Sequence, residues 1–504
     1  MGKKRFLAFA LCMLMLCCAI HVSGLATGAA DEIDTSGLVL KHYTRNQGTE
    51  NLADNEAVLE YIENAVGFQI DVYSVPSDQY NDKMKMVLAS GEKFDSFNVL
   101  ALGESTLSLR AKDAIIPIND LLEQYGQNIL NVVPQEAFDV MTDKDGQIWG
   151  MPRRERYPTG NQPAIREDWC NMLGMDIPSS FVEFEEFMQA VLDNDLNGNG
   201  IQDEIPLMPM AGTAGITLDF RGMFCGVTGG VYITEDDVVM PIRMHPGYKD
   251  MLAKFAEWYD KGYIWKEFNS DSDAKKNEYK NANRVACYCN WFQGGDSTFK
   301  QVEGCLYSPM PPFTDAPSGT PGWGSNAQYT PMVYLSSTGD NPFLMIKLID
   351  WLCSDPANAV TQYYGLEGKH WDWIDQAANT ITLLDNYSDS YNQFYHFIEL
   401  FYPTYFPAIE TDDPLLSDRN RVAAITKDWF YYENNSTVYV FNTAGTEAEF
   451  LTGDGGTLLD ETFINIIYGV APIDDWDKAV EQYWALEGET YSKVYTEQYL
   501  ELYK

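Results

Sequence analysis

The chain has few basic residues and few histidines for its length of 504 residues. It contains 34 Lys+Arg against 74 Asp+Glu, with five His, and its formal net charge is −40 at pH 7. Such a surface repels nucleic acids and anionic lipids, so a nucleic-acid partner is not expected. It also disfavours a polyanionic ligand unless basic side chains gather in one place.

Sequence signatures of catalysis are also missing. No histidine falls in an HExxH or HxxEH arrangement, and there is no GxSxG elbow and no Walker loop. Acidic pairs such as Glu185-Glu186 are common, but in a chain this acidic they are typical of solvated helix faces. We therefore expect a protein that is not an enzyme. A secreted glycoside hydrolase stays open as the alternative, because it needs only two carboxylates about 5–10 Å apart.

Long apolar runs are confined to the first thirty residues. A basic start at residues 3–5 precedes an apolar run over 6–20, and small residues at 28–30 offer a cleavage site. The run is too short to span a bilayer. Residues 1–30 are therefore predicted to be a signal peptide, and the rest of the chain an exported protein of the cell surface, extracellular space or periplasm.

The cysteines leave both lipidation and disulfide pairing without a firm prediction. Cys17 and Cys18 lie in the predicted signal peptide. The residue before a lipid-modified cysteine is normally small, and here it would be Leu16 or Cys17, which disfavours a lipid anchor. Six others remain, an even number that permits disulfides. Most of these lie in apolar runs, which fits buried thiols equally well. They are Cys170, Cys225, Cys287, Cys289, Cys305 and Cys353.

An oxygen-rich loop stands out within residues 193–206, Asp-Asn-Asp-Leu-Asn-Gly-Asn-Gly-Ile-Gln-Asp-Glu-Ile-Pro. Oxygen ligands at alternate positions, with glycine for a tight turn, are what a hard cation such as Ca²⁺ requires. The sequence from Asp193 to Glu204 satisfies the EF-hand pattern. A solvated Asn/Gly/Asp turn without metal is the simpler alternative.

A second register of this loop, starting at Asp195, is the one that we favour. Ser180 and Glu183 form a capping box for a helix that would place Asp193 in its last turn. Pro206 stands where the exit helix of an EF-hand would continue. The loop is therefore predicted to hold one structural Ca²⁺ between a helix and an extended segment. Its predicted ligands are Asp195, Asn197, Asn199, the Ile201 carbonyl, Asp203 and Glu204.

The first part of the chain has the pattern of an open, mostly parallel α/β sheet. Extended stretches at 38–43, 68–72 and 96–100 alternate with helical stretches at 50–66 and 78–89. Ligands of such sheets bind beyond the carboxyl ends of the strands. Asp95 and Asn98, close to the last strand, are candidates for that rim.

Two Pro/Gly-rich stretches, at 150–160 and 308–332, indicate two crossings between lobes that are built from discontinuous pieces. We predict lobe one over 31–152 and 329–400. Lobe two is predicted over 153–328 and 401–504, and it includes the calcium loop.

Several motifs resemble those of extracellular solute-binding proteins of ABC importers. Residues 148–152 (Ile-Trp-Gly-Met-Pro) and 165–174 (Ile-Arg-Glu-Asp-Trp-Cys-Asn-Met-Leu-Gly) resemble the family's YGxP…RxDWLxxLG run. Residues 364–371 (Tyr-Gly-Leu-Glu-Gly-Lys-His-Trp) resemble its YGxEGxxW motif. The calcium loop lies between these motifs. The set is most similar to the large, calcium-binding, often lipoprotein branch of family 1 that captures oligosaccharides. Trp149, Cys170 and the missing lipobox depart from the pattern.

This resemblance implies a two-lobe, periplasmic-binding-protein-like α/β fold with a hinge. It implies capture of a carbohydrate between the lobes by a monomer, and delivery to the permease subunits of an ABC transporter. A surface sensor or adhesion protein on the same fold remains a further alternative.

Aromatic residues in polar loops are candidates for sugar contacts, because a sugar needs a flat apolar face together with amides or carboxylates. Trp291, Trp323 and Trp371 lie among Gly, Asn and Asp residues. With Asn98 and Arg154, they form the predicted ligand-binding set. Arg154 and its neighbours could contact an acidic ligand, but pairing with surface carboxylates is the favoured alternative for them.

Overall fold

A computed structural model describes residues 34–46, 52–76, 79–99, 106–154, 161–209, 216–217, 220–227, 229–291, 298–319, 323–325, 329–386, 407–412, 414–426, 429–432, 441 and 446–503. The signal-peptide prediction for residues 1–30 lies outside these ranges. Among the described residues, none of the helices has the length and apolar character needed to cross a membrane.

The first large sheet has five strands, β1 Val39–Asn46, β2 Gln69–Pro76, β3 Ser96–Asn98, β4 Met151–Arg154 and β12 Tyr329–Leu335. They lie in the order β2-β1-β3-β12-β4. Strands β1 and β2 run parallel, with His42 opposite Val72, and β3 is parallel to β1, with Tyr43 opposite Phe97. Strand β12, from later in the chain, is antiparallel to both of its neighbours, β3 and β4, so β4 runs in the same direction as β1, β2 and β3.

Helices cover both faces of this sheet, as its connections require. They are α1 Leu52–Val66, α2 Tyr80–Ser90, α3 Thr106–Ala111, α4 Asn119–Tyr125, α5 Gln127–Val132, α6 Gln135–Asp139, and the later Phe343–Ser354 and Pro356–Tyr364. Leu40 and Ile70 on one face pack with helical Val58, Ile62 and Leu348. Tyr43 and Phe97 face a second cluster.

The second large sheet has four strands, β5 Asn161–Arg166, β6 Ile205–Met208, β9 Val285–Trp291 and β10 Tyr307–Pro309. They lie in the order β10-β5-β9-β6. Strand β6 runs parallel to β9, whereas β5 is antiparallel to both β9 and β10.

The largest hydrophobic core covers this second sheet and is rich in aromatic rings. Phe184, Phe220 and Trp258 are fully buried in it, and Phe463 and Trp476 join it from the end of the chain. The helices of this part are α7 Glu167–Leu173, α8 Phe181–Asp193, Arg221–Cys225, Pro246–Asp260, Asp273–Asn281, Thr298–Gln301, Pro414–Thr426, Asp454–Ile467, Asp475–Tyr483 and Glu489–Tyr503, with a π-helical turn at Trp484–Gly488.

Three small sheets complete the strands that the structure describes. Strand β7 Val231–Ile233 pairs with β8 Val239–Pro241, and β11 Trp323–Ser325 runs parallel to β16 Phe430–Tyr432. The third consists of β13 Trp371–Asp375, β14 Thr380–Leu383 and β15 Ala408–Glu410. The two-lobe α/β prediction is therefore met by two separate large sheets, each with its own core.

The six cysteines that follow residue 30 are all buried. Cys170 and Cys353 are free thiols, and burial raises the pKa of Cys170 to about 12. Burial also raises the pKa of Cys353. Protonated, enclosed thiols of this kind are inert packing residues.

The carboxylate of Glu185 on α8 accepts three hydrogen bonds from the helix Pro246–Asp260 and the residue that follows it. Its carboxylate accepts from Trp258 Nε1 at 3.0 Å, Lys254 Nζ at 3.0 Å and Lys261 Nζ at 2.9 Å. Burial alone would raise the pKa of Glu185, but these hydrogen bonds lower it to about 2. The carboxylate therefore stabilises the fold above its unfolded-state pKa of about 4.3, and this contribution is lost as the pH falls towards 2.

Replacing Glu185 with Gln is expected to destabilise the protein at pH 7 by about 1–2 kcal/mol, because Lys254 and Lys261 each lose one of two carboxylate partners and keep only Glu257. Urea denaturation at pH 7 and pH 3 measures this, and the difference from the wild type should narrow at pH 3. The exposed neighbour Glu186→Gln is the matched control. Equal stabilities of Glu185→Gln and the wild type at pH 7 would contradict the stabilising role of the Glu185 carboxylate.

Candidate functional site

The residues of the predicted calcium loop lie in a compact turn between α8 and β6. Helix α8 begins after Ser180, whose Oγ accepts from Glu183 N at 3.2 Å, and it ends at Asp193. Residues Ile205–Met208 then form a fully buried strand. The exit segment is therefore extended, as Pro206 predicts, and the loop has no exit helix.

Four of the predicted ligands converge within this turn. Asp203 Oδ1 accepts from Asn197 Nδ2 and from Asn199 Nδ2, both at 3.1 Å. The backbone amide of Asn199 lies 3.2 Å from Asp195 Oδ1 and 3.0 Å from Asn197 Oδ1. Gly198 and Gly200 have φ values of 71° and 81°, which glycine adopts without strain. Two carboxylates and two carboxamides thus share one small volume.

The remaining predicted ligands have different surroundings. Glu204 is buried, and its Oε1 accepts from the amides of Leu196 at 2.8 Å and Asn197 at 3.0 Å. Arg284 Nε lies 2.9 Å from Asp203 Oδ2. The amide of Ile201 donates to Asn199 Oδ1 at 2.7 Å. Across the described part of the chain, no group of three or more His, Cys, Asp or Glu side chains is arranged to hold a metal ion.

Asp193, the first ligand of the EF-hand register, points back along its own helix. Its Oδ1 accepts from Gln189 Nε2 at 3.0 Å, one turn earlier. The side chain is thus engaged outside the turn, whereas Asp195 and Asp203 point into it.

Asn98 lies at the carboxyl end of β3 and is fully buried. Tyr80 fixes this edge, because its hydroxyl lies 2.8 Å from the Asn98 carbonyl and 3.2 Å from the Tyr43 carbonyl. The sequence reasoning missed Tyr80, whose isolated position at a helix start gives no signal of this role.

Asp95 lies at the opposite edge of the same sheet, so its prediction as a rim residue is wrong. It precedes β3, and its carboxylate accepts from Lys41 N at 2.8 Å and from Asn341 N at 2.6 Å. It therefore stabilises the amino-terminal edge, away from the end where ligands of such sheets bind.

Both large sheets end where the chain crosses between them. Arg154 is the last residue of β4 and lies opposite Tyr329, the first residue of β12. In the second sheet, Asn161 begins β5 opposite Trp291, the last residue of β9. The chain passes directly from Arg154 through residues 155–160 to Asn161. The edges that carry Arg154 and Trp291 are therefore the two that adjoin this crossing.

Trp323 lies near the second crossing, in β11, shortly before residues 326–328 lead into β12. Its strand pairs with β16, with Trp323 opposite Phe430. The side chains of Arg154, Trp291 and Trp323 lie outside the described part of the structure, and the backbone alone places these residues beside the crossings.

Trp371, the third predicted tryptophan, is fully buried. Its Nε1 donates to the Gly365 carbonyl at 2.7 Å, and its ring meets Trp373 edge to face. Val360, Ile381 and Ile409 pack in the same small core. In this structure Trp371 offers no ring face to a ligand.

Comparison with curated proteins finds relatives among lipoproteins and carbohydrate-transport proteins. Lipoprotein LipO of Bacillus subtilis (strain 168) is 26% identical over 281 residues, which are 55% of this chain and 54% of that protein. The fructooligosaccharide ABC transporter substrate-binding protein FusA of Streptococcus pneumoniae serotype 4 is 26% identical over 230 residues, 42% of each chain. The match thus spans about half the length of these relatives. No protein-family model matches the chain.

Solved structures match nearly the whole chain. An HMO-binding, ABC-transporter-associated solute-binding protein from Bifidobacterium longum infantis superposes with a TM-score of 0.72, at 18% identity over 92% of this chain and 98% of that one. The chain has the two-lobe fold of ABC-transporter solute-binding proteins. An EF-hand mutant of S. pneumoniae FusA in complex with fructo-nystose gives a TM-score of 0.64, at 20% identity over the same shares. The alginate-binding protein AlgQ2 without calcium ion gives 0.60, at 17% identity over 91% of this chain and 97% of that one.

These matches confirm the predicted fold and the resemblance to solute-binding proteins. The proteins just compared are named for binding or transport, or as a lipoprotein, and none of them is named as an enzyme. None of these comparisons tests the individual ligand and calcium residues.

Proposed function

We propose that this protein is the extracellular binding component of an ABC importer and captures an oligosaccharide between its two lobes. The observation that carries the proposal is the fold match over 92% of the chain to a solute-binding protein named as associated with an ABC transporter. A second structural match, FusA, is named as a fructooligosaccharide-transport protein. The convergence of both sheet edges on the chain crossings supports it, because ligands of open α/β sheets bind at such edges. The captured sugar would be delivered to the permease by hinge closure of a monomer.

The proposed ligand site lies between the two sheet edges. Asn98 and Arg154 belong to the first sheet, and Trp291 to the second, with Trp323 beside the second crossing. An indole face would stack on the apolar side of a sugar ring, and amide and guanidinium groups would bind its hydroxyls. Trp371, being buried, would support this region from its own small core.

Export is part of the same proposal. Residues 1–30 would direct secretion and be removed, and the acidic surface suits a protein that stays soluble outside the cell. The name of LipO shows that at least one relative is a lipoprotein. For this chain, the residues before Cys17 and Cys18 argue against the same anchor.

Calcium is proposed as a structural ion of the Asp195–Glu204 loop. The donor set fits the ion, because two carboxylates and two carboxamides converge, and a half rotation of a carboxamide presents its oxygen in place of its nitrogen. Asp195, Asn197, Asn199 and Asp203 would hold it, with the Ile201 carbonyl and Glu204 completing the set. A bound cation would offset the mutual repulsion of these carboxylates and fix the turn between α8 and β6.

We expect binding without turnover, because the sequence has no catalytic signature. Incubating the purified protein for a day with kestose or maltotriose should leave the trisaccharide intact by mass spectrometry. A glycoside hydrolase of matching specificity serves as the positive control. Release of shorter sugars by the purified protein itself would instead favour the secreted hydrolase. A protein that binds sugar but no permease would favour the sensor or adhesion alternative.

A further inference from the structure

One face of the first sheet changes from apolar to polar along β1. Side chains alternate between faces along a strand, so Leu40, His42 and Thr44 share a face. Leu40 packs with Ile70 and with Val58 and Ile62 of α1. His42 Nδ1 lies 2.9 Å from Ser96 Oγ on the neighbouring strand. Thr44 follows at the carboxyl end, one step beyond Tyr43, which pairs with Phe97 beside Asn98.

Helix α1 brings a polar residue to the same end of this face. Asn55 lies one turn before Val58 and two turns before Ile62, so the three residues share a helix face. Because α1 returns along the sheet from the carboxyl end of β1, its first turn lies over that end. Asn55 therefore joins Thr44 and Asn98 at the edge where ligands of such sheets bind.

Thr44 and Asn55 are both fully buried, and their polar atoms have no hydrogen-bond partner in the described structure. The atoms are Thr44 Oγ1, Asn55 Nδ2 and Asn55 Oδ1. Buried polar atoms without partners are rare, since each loses its hydration without compensation. By contrast, the buried hydroxyl of Thr426 in the second lobe donates to the Val422 carbonyl at 2.9 Å. A buried donor and acceptor without partners, at the edge where ligands bind, indicate groups that a bound ligand would hydrogen-bond.

We propose that Thr44 and Asn55 form a hydroxyl-binding subsite, in which they hydrogen-bond an uncharged sugar hydroxyl beside Asn98. This inference rests on the proposed function and names residues that determine its specificity. The carboxamide of Asn55 offers one donor and one acceptor, and the hydroxyl of Thr44 can act as either. A sugar hydroxyl has the same dual character, whereas an apolar group would leave these atoms unpaired.

Isosteric substitutions separate this role from a structural one. Thr44→Val and Asn55→Leu remove the polar atoms with little change of shape, and Thr44→Ser keeps the hydroxyl. We expect each apolar variant to weaken binding about five- to tenfold, the value of one neutral hydrogen bond. The melting temperature of the sugar-free protein should stay equal or rise, because an unpaired buried group is removed. Thr44→Ser should bind like the wild type.

The measurement is calorimetric titration with whichever of kestose, maltotriose and cellotriose raises the wild-type melting temperature most. Thr426→Val is the matched control and should lower stability while leaving affinity unchanged. Unchanged affinity in both apolar variants, with a bound wild type, would overturn the subsite but not the proposed function. A fall in melting temperature with unchanged affinity would show a structural role and also overturn it. If no oligosaccharide binds the wild type, the proposed function fails and this inference with it.

Discussion

Removing calcium is expected to lower the melting temperature of the protein by about 5 °C. A ligand that binds only the folded state at about 100 times its dissociation constant stabilises it by about 2.7 kcal/mol. Each kcal/mol shifts the melting temperature of a large domain by about 2 °C. Without the ion, Asp195 and Asp203 lie in one turn with Arg284 as the counter-charge. Scanning calorimetry with and without a chelator measures the shift.

Added Ca²⁺ should restore the melting temperature, and Mg²⁺ should not, because Mg²⁺ demands a smaller octahedral site and keeps its water ligands. Asp195→Ala and Asp203→Ala should abolish the response to calcium. Asp193→Ala should retain it, since its carboxylate bonds Gln189 rather than the turn. Loss of the response in Asp193→Ala, together with a normal response in Asp203→Ala, would establish the EF-hand register instead.

Trp291→Ala is expected to weaken oligosaccharide binding by about 30-fold. One face of an indole ring removes on the order of 80 Å² of apolar surface from water on stacking, which is about 2 kcal/mol. Trp291 ends β9 at the edge that adjoins the lobe crossing, where the ligand site is proposed. Titration calorimetry of the variant against the wild type measures the loss. The same change at Trp323 should act in the same direction.

Trp371→Ala provides the contrast, because this ring is packed in a core. Its truncation should cost about 3–5 kcal/mol of stability and leave the affinity of the folded protein nearly unchanged. If Trp371→Ala lost affinity at unchanged stability, while Trp291→Ala and Trp323→Ala bound normally, the assignment of the stacking residues would be reversed.

Local sequence signals predicted the elements that depend on neighbouring residues. The capping residues Ser180 and Glu183 located the start of α8, although the Glu183 carboxylate bonds Ser179 N at 2.8 Å rather than Ser180 N. The extended stretches predicted at 38–43, 68–72 and 96–100 located the three parallel strands of the first sheet. Asx-type residues and glycines located the turn after α8. Each of these features is decided within a few residues of chain.

Features that depend on residues far apart in the sequence could not be predicted from local patterns. The antiparallel pairing of β12 with β3 and β4 joins segments more than 150 residues apart, and no local pattern specifies it. The polar sequence around Trp371 suggested an exposed loop, but pairing of β13 with β14 buries the ring. The prediction for Asp95 failed because only its closeness to β3 was considered. Asp95 precedes this strand, whereas ligands bind beyond the end of the strand. Thr44 and Asn55 belong to no sequence motif, because the reason for proposing them is that their buried polar atoms lack hydrogen-bond partners.

Titration of residues 31–504 with a panel of oligosaccharides tests the central claim most directly. The protein, with calcium present, is titrated by calorimetry with kestose, maltotriose, cellotriose and trigalacturonate. We predict that at least one binds with 1:1 stoichiometry, raises the melting temperature, and is recovered intact afterwards. Absence of binding across the panel and its longer homologues, or recovery of the sugar as shorter fragments, would contradict the proposed function.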